Sequence, residues 1–147
     1  MKVKIEGVIL FVCISFFTLS SLAIPPQDPQ QNQTSLLQGN QQFKRGHFQQ
    51  AVLFYLQAFH EGVRTPQLYH NLAVSFYKIE RYVEAKAVFL RSAAYPSFQA
   101  LSYLNLALVA VKQNELEQAK LWLLRIKNVQ ATPQVQQGAA KLLQRVM

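Results

Sequence analysis

Lysine and asparagine side chains recur at a fixed interval along the chain. Lys44, Lys78 and Lys112 follow one another every 34 residues (78 − 44 and 112 − 78), and the same interval separates Asn71 from Asn105. Lysine ammonium groups attract carboxylates, and asparagine amides can pair with a peptide backbone. If each interval is one structural unit, these groups form rows on one surface, where they could bind an extended and acidic peptide.

Neighbouring side chains complete this candidate surface. Asn40 faces the same side in the first interval, His70 precedes Asn71, and three apolar residues would add contact area. The full candidate set is Asn40, Phe43, Lys44, His70, Asn71, Tyr77, Lys78, Asn105, Leu108 and Lys112. An alternative interpretation is that the rows are inherited from repeat duplication, with lysine favouring helix ends and asparagine bracing neighbouring helices.

The sequence carries no recognisable catalytic or metal-binding motif. It has no phosphate-binding glycine loop, no metalloprotease helix motif and no zinc-ligand cluster. His47, His60 and His70 are the only histidines, and their spacing does not match a ligand set. We therefore expect a protein that is not an enzyme and that uses no cofactor and no metal.

Residues 1–23 have the composition of an export signal. Lys2 and Lys4 precede a mostly apolar run over residues 8–19, and Ser21, Leu22 and Ala23 follow at the usual spacing of a cleavage site. The pattern predicts cleavage after about Ala23 and an exported protein, periplasmic or secreted. The alternative is an uncleaved membrane anchor, for which the run falls short of the roughly 20 apolar residues required.

Beyond the signal, residues 24–34 are rich in proline and glutamine, which predicts a disordered leader before a folded domain at residues 35–147. The chain has a formal charge of +8, so it should attract acidic proteins, and peripheral association with anionic lipid or cell-wall polymer is an alternative. Its Lys and Arg residues form no tight basic run, so no nucleic acid is expected. The sequence does not specify an oligomeric state.

The apolar residues follow the same interval as the lysines. The segments that begin at Gly46, Glu80 and Asn114 align without gaps. The second unit reads Tyr69, Leu72, Ala73, Phe76, Ala85 and Phe89; the third keeps Tyr103, Leu106, Ala107, Ala119 and Leu123; the first keeps Gly39, Ala51, Tyr55 and Ala58. In period and pattern, the chain resembles the tetratricopeptide repeat (TPR) family.

The resemblance implies an all-α, right-handed superhelix of three helix-turn-helix units plus a carboxy-terminal capping helix. The repeats would span about residues 32–65, 66–99 and 100–133, and the cap about 134–146. We place the helices at residues 35–45 with 49–61, 67–79 with 83–94, 98–113 with 116–129, and 134–146. Small residues at Gly39, Ala73 and Ala107 would let the two helices of each unit approach closely.

The resemblance also implies a binding protein in which the first helix of each unit lines a concave groove. Some family members hold a terminal carboxylate in a clamp of two asparagines with Lys and Arg residues. Asn40 and Asn71 match those asparagines, but Leu36, Leu101 and Asn105 stand where the clamp's cations would be, so the clamp is not predicted. Together with the compact signal, the resemblance predicts an adaptor or scaffold in a bacterial envelope. The alternatives are a pilotin-like assembly factor for a surface appendage or secretion system, and a cationic binder of cell-wall polymer or anionic lipid.

Overall fold

A computed structural model describes residues 29–147, with side chains described from Thr34 onward. The predicted export signal and residues 24–28 of the predicted leader lie outside this part. The described residues form seven α-helices and no strand: α1 (Pro29–Lys44), α2 (Phe48–His60), α3 (Pro66–Lys78), α4 (Tyr82–Ser92), α5 (Pro96–Lys112), α6 (Leu116–Ile126) and α7 (Pro133–Val146). Apart from the start of α1, the helix ends agree with the predicted ends within about one turn.

The first helix begins earlier than predicted. It starts at Pro29 and not at Ser35, so residues 29–34 of the expected leader are helical. Proline is tolerated in the first turn of a helix, and glutamine is a good helix former. Ser35 is buried, and its hydroxyl donates a 2.8 Å hydrogen bond to Oε1 of Glu61, which fixes this part of α1 against the end of α2.

The turn between the two helices of each unit contains one residue in the left-handed backbone region. Gly46, Glu80 and Asn114 have φ values of 77°, 63° and 60°, and they occupy the same position in the three units. The following N–H bonds back into the preceding helix in each case, as in the 3.0 Å bond from His47 N to the Gln42 carbonyl. These residues follow the ends of α1, α3 and α5 and lie in the gaps between the predicted helices.

Within each unit the two helices pack through small side chains. Ala51, Ala85 and Ala119 are fully buried. At Gly39, a Cβ atom would lie 2.7 Å from the ring of Tyr55 on α2, so this position of α1 lies directly against its partner helix. The equivalent residues of α3 and α5, Ala73 and Ala107, are also fully buried, which confirms the predicted role of small residues in helix approach.

The curvature of the stack follows from which helices touch. Helices α1, α3, α5 and α7 contact one another in sequence, whereas within the described residues no such contact joins α2 to α4 or α4 to α6. The first helices are therefore crowded on one side while the second helices splay on the other. The concave side is formed by α1, α3 and α5, with α7 at its end, and the predicted fold class is confirmed.

None of the helices in the described part of the chain is both long enough and apolar enough to span a membrane.

Candidate functional site

The three lysines of the predicted row occupy equivalent helix ends. Lys44, Lys78 and Lys112 are the last residues of α1, α3 and α5, and all three are exposed. A cation at this end of a helix is favoured by the helix dipole. None of the three forms an ion pair with a described residue, whereas Glu84, Glu115 and Glu117 are paired with Arg81, Lys86 and Lys120. The row is therefore unneutralised positive charge along the turn edge of the concave side.

Two of the predicted asparagines are hydrogen-bonded to each other. Oδ1 of Asn40 accepts bonds from the Tyr55 hydroxyl (2.9 Å) and from Nδ2 of Asn71 (3.1 Å), and Gln67 donates to Oδ1 of Asn71 at 3.0 Å. This network joins α1, α2 and α3. Asn71 is buried, so its amide mainly links the first unit to the second. This agrees with the alternative interpretation that the asparagines brace neighbouring helices. Asn40 and Asn105 are half-buried on the concave helices.

Burial raises the pKa of Tyr55 to about 12. The ring is enclosed between α1 and α2, and the surrounding apolar groups disfavour a charged phenolate. The hydroxyl therefore keeps its proton and acts as the donor to Asn40.

His70 lies among aromatic rings and not in open solvent. Its ring centroid is 5.1 Å from that of Phe98 and 6.1 Å from that of Phe89. Nδ1 is buried and has no hydrogen-bond partner among the described residues. Burial lowers the pKa of His70, so the neutral imidazole is favoured and contributes an aromatic surface in place of a charge.

Two of the apolar residues predicted to line the groove, Phe43 and Tyr77, already pack against aromatic rings of their own unit. Phe43 packs against Phe48, and Tyr77 packs against Tyr82, with ring centroids 5.7 Å apart in both pairs. Phe43 and Tyr77 are half-buried. Each pair joins the end of a first helix to the start of its second helix. Leu108 is half-buried on α5.

Leu37 and Gln41 are surface residues of α1 that are not among the predicted groove residues. The side chain of Leu37 is 69% exposed, and with Gln41, Asn40 and Lys44 it lines a shallow pocket of about 280 Å³ on α1. The signal was present, because Leu37 precedes Asn71 by one repeat interval and therefore occupies the same position of its unit. Leu36, Leu101 and Leu104 are also half-buried on the concave helices.

Across residues 34–147, no group of three or more His, Cys, Asp or Glu side chains is placed to hold a metal ion. The concave side instead combines lysines with apolar and amide side chains, which suits noncovalent binding.

No protein-family model matches the sequence, and no curated protein matches it. Solved structures do match the fold. The first TPR of Spaghetti (RPAP3), bound to the HSP90 peptide SRMEEVD, superposes with a TM-score of 0.67 at 19% identity, covering 81% of this chain and 92% of that one.

Two further structures also match the fold. The Yersinia enterocolitica type III secretion chaperone SycD, in complex with a peptide of the translocator YopD, gives a TM-score of 0.72 at 11% identity over 81% of this chain and 94% of its own. The Arabidopsis OM64 TPR domain gives 0.69 at 16% identity over 80% and 98%. At these identities the likeness concerns the fold, which is that of tetratricopeptide domains.

Proposed function

We propose that this chain, which has the fold of tetratricopeptide domains, is a protein-interaction adaptor that binds an extended peptide along α1, α3 and α5. The observation that carries the proposal is the row of unpaired lysines Lys44, Lys78 and Lys112 beside exposed or half-buried apolar groups on the same helices. Such a surface attracts acidic groups through the lysines and takes up apolar side chains between them. The adaptor would have no catalytic activity.

The solved structures support a peptide ligand. The Spaghetti TPR holds the peptide SRMEEVD, and SycD holds a peptide of YopD, although each resembles this chain in fold alone. Three of the last four residues of SRMEEVD are acidic, in agreement with a ligand that would suit a lysine row. An acidic peptide is therefore the ligand class that we propose here.

The mode of recognition that we propose differs from a terminal-carboxylate clamp. Asn40 and Asn71 match two clamp residues, but they are bonded to each other, and Leu36, Leu101 and Asn105 occupy the positions of the clamp's cations. We propose instead that acidic side chains of the ligand contact the lysine row. Its apolar side chains would contact Leu37, Leu101 and Leu108.

We further propose that the protein acts in a bacterial envelope, after cleavage of residues 1–23. The support is the basic start, the apolar run and the small residues at the expected cleavage site. Cell fractionation and intact mass should give a periplasmic protein that begins at Ile24. A full-length mass in the membrane fraction would contradict cleavage and favour an anchored form.

The binding experiment uses two variants with equal loss of charge. The groove variant carries Lys44→Gln, Lys78→Gln and Lys112→Gln, and the control carries Arg91→Gln, Lys141→Gln and Arg145→Gln, which are exposed elsewhere. Peptides are selected from a random display library against the full chain at about 150 mM salt. We expect acidic peptides with apolar residues, whose Kd rises about tenfold or more in the groove variant and about twofold at most in the control.

Other outcomes would redirect the assignment. Equal weakening in both variants, together with loss of binding in high salt, would favour the cationic binder of polymer or lipid. Failure to select any peptide would contradict the groove. If capture from an envelope fraction by the parent, but not by the groove variant, returns a component of a secretion system or appendage, the adaptor serves as an assembly factor.

A further inference from the structure

Helix α7 is built like the first helix of a repeat unit. It begins with Thr132, Pro133 and Gln134, as α3 begins with Thr65, Pro66 and Gln67. Both threonine hydroxyls cap their helix by accepting a backbone N–H, from Val135 in α7 and from Leu68 in α3. Counted from the proline, the residues buried against the preceding unit also correspond: Val135, Ala139 and Leu142 in α7 match Leu68, Leu72 and Ser75 in α3.

The other face of α7 has no second helix on it within the described residues. Gly39 lies directly against the second helix of its unit. The equivalent residues of the next two units, Ala73 and Ala107, are fully buried. The matching residue of α7 is Ala140, which is exposed, and Leu143 one turn later is only half-buried. In α3 and α5 the residues that match Leu143 are Phe76 and Ala110, and both are buried.

This face forms one wall of an open cleft of about 540 Å³ between α6 and α7. The apolar part of the lining comes from both helices and from the segment between them: Leu123, Ile126, Val129, Ala139, Ala140 and Leu143. Gln136 and Gln144 border it on α7, and Lys127 is the charged lining residue. The cleft therefore has the composition of a helix-packing surface.

The opposite end of the stack is different. On the free side of α1, Gln38 and Gln41 are exposed at the positions where α3 buries Leu72 and Ser75. The outer face of a terminal repeat needs polar residues of this kind to remain soluble. The amino-terminal side thus combines these glutamines with the exposed Leu37, whereas the cleft beside α7 is apolar at positions that the other units cover with a helix.

We propose that the cleft between α6 and α7 is a docking site for an amphipathic α-helix of an acidic partner protein. The partner helix packs on α7 as α4 packs on α3. Its contact face carries a small residue opposite Ala140 and a large apolar residue four positions later, as Ala85 and Phe89 do in α4.

Charge selects the class of partner. Lys127 borders the cleft without an ion pair among the described residues, and α7 contains Lys141 and Arg145 but no acidic residue. A partner helix with glutamates beside its apolar face complements this surface. A second copy of this chain does not, because it carries a formal charge of +8 and its own second helices are already packed in pairs.

The test uses a stapled peptide derived from residues 80–95, the segment that contains α4. Lys86 and Arg91 are replaced by glutamate, and a hydrocarbon staple joins positions 83 and 87, which are exposed in α4. Binding to the full chain is measured by NMR titration at about 150 mM salt. We expect saturable binding, with the largest shifts at the methyl groups of Ala140 and Leu143.

Two protein variants place the site. Ala140→Trp fills the cleft from an exposed position, and Gln137→Trp adds the same side chain to an exposed position of α7 outside the lining. We expect at least a roughly tenfold rise in Kd for Ala140→Trp and no more than about twofold for Gln137→Trp. Equal effects of the two variants, or no binding of the peptide, would overturn the proposal.

Two controls separate the cleft from the concave groove and test the charge. The Lys44, Lys78 and Lys112 groove variant should bind the stapled peptide as the parent does, and loss of binding there would contradict docking at α7. The Lys127→Glu variant should bind the acidic peptide more weakly than the parent does, and it should bind the peptide that keeps Lys86 and Arg91 more tightly. If Lys127→Glu changes the Kd of neither peptide, the proposal of an acidic partner is contradicted.

Discussion

The side-chain amide of Asn71 on α3 donates a 3.1 Å hydrogen bond to Oδ1 of Asn40 on α1, and the same oxygen accepts the hydroxyl proton of Tyr55. One atom therefore connects three helices and two repeat units. Residues that the family resemblance places in a ligand-binding position here hold the first two units together.

Removal of this acceptor should destabilise the protein. Asn40→Ala leaves the donors of Tyr55 and Asn71 without that acceptor in a largely buried site, so we expect a loss of about 1–3 kcal/mol in the free energy of unfolding. Urea denaturation followed by circular dichroism measures it. Gln41→Ala, an exposed neighbour on α1, should change stability by less than about 0.5 kcal/mol. Equal effects would show that the network does not contribute.

Two glycines in helices should respond oppositely to alanine. A Cβ at Gly39 would lie 2.7 Å from the Tyr55 ring, which is enclosed and cannot easily move, so Gly39→Ala should cost about 1–3 kcal/mol. At Gly138 the contact is 3.2 Å to a terminal methyl of Leu104, which can shift. There, the gain in helix propensity of up to about 1 kcal/mol should dominate. Thermal unfolding of both variants compares them, and a stabilised Gly39→Ala would contradict the packing.

The turns offer stabilising substitutions. Glu80 and Asn114 have φ values of 63° and 60°, a region that is unfavourable for side chains and open to glycine. Glu80→Gly should stabilise the protein by about 1 kcal/mol, and Asn114→Gly by less, since asparagine tolerates this region better. Gly46→Ala, at the equivalent turn with φ 77°, serves as the reverse control and should destabilise. The denaturation midpoints of the three variants and the parent in urea measure these differences in stability.

His70 should make stability depend on pH. Burial lowers its pKa in the folded state, so the unfolded chain binds more protons as the pH falls through the unfolded value of about 6.5. Stability should be retained above that pH and decline as the pH falls below it. His70→Leu should flatten this part of the profile, whereas His60→Gln, at the exposed end of α2, should leave it in place. An unchanged profile in His70→Leu would assign the dependence to other groups.

The sequence by itself determined the repeat and its helices, because the residues that specify them act locally. Prolines mark the starts of α3, α5 and α7, Gly39 and its equivalents permit close packing, and Gly46, Glu80 and Asn114 mark the turns at one interval. The placement of Lys44, Lys78 and Lys112 on equivalent helix ends follows from the same periodicity. These features need no knowledge of what lies across the stack.

Only the tertiary structure decided how each repeat position is used. Ala107 is fully buried and its equivalent Ala140 is exposed, although both are alanines at corresponding positions of a repeat unit, because α6 covers the first and no described helix covers the second. The bond between Asn71 and Asn40, the enclosure of His70 and the exposure of Leu37 depend in the same way on neighbouring units. The burial of a residue depends on which helices pack against it. A repeated sequence therefore predicts burial only for units that have the same neighbouring helices as the other units.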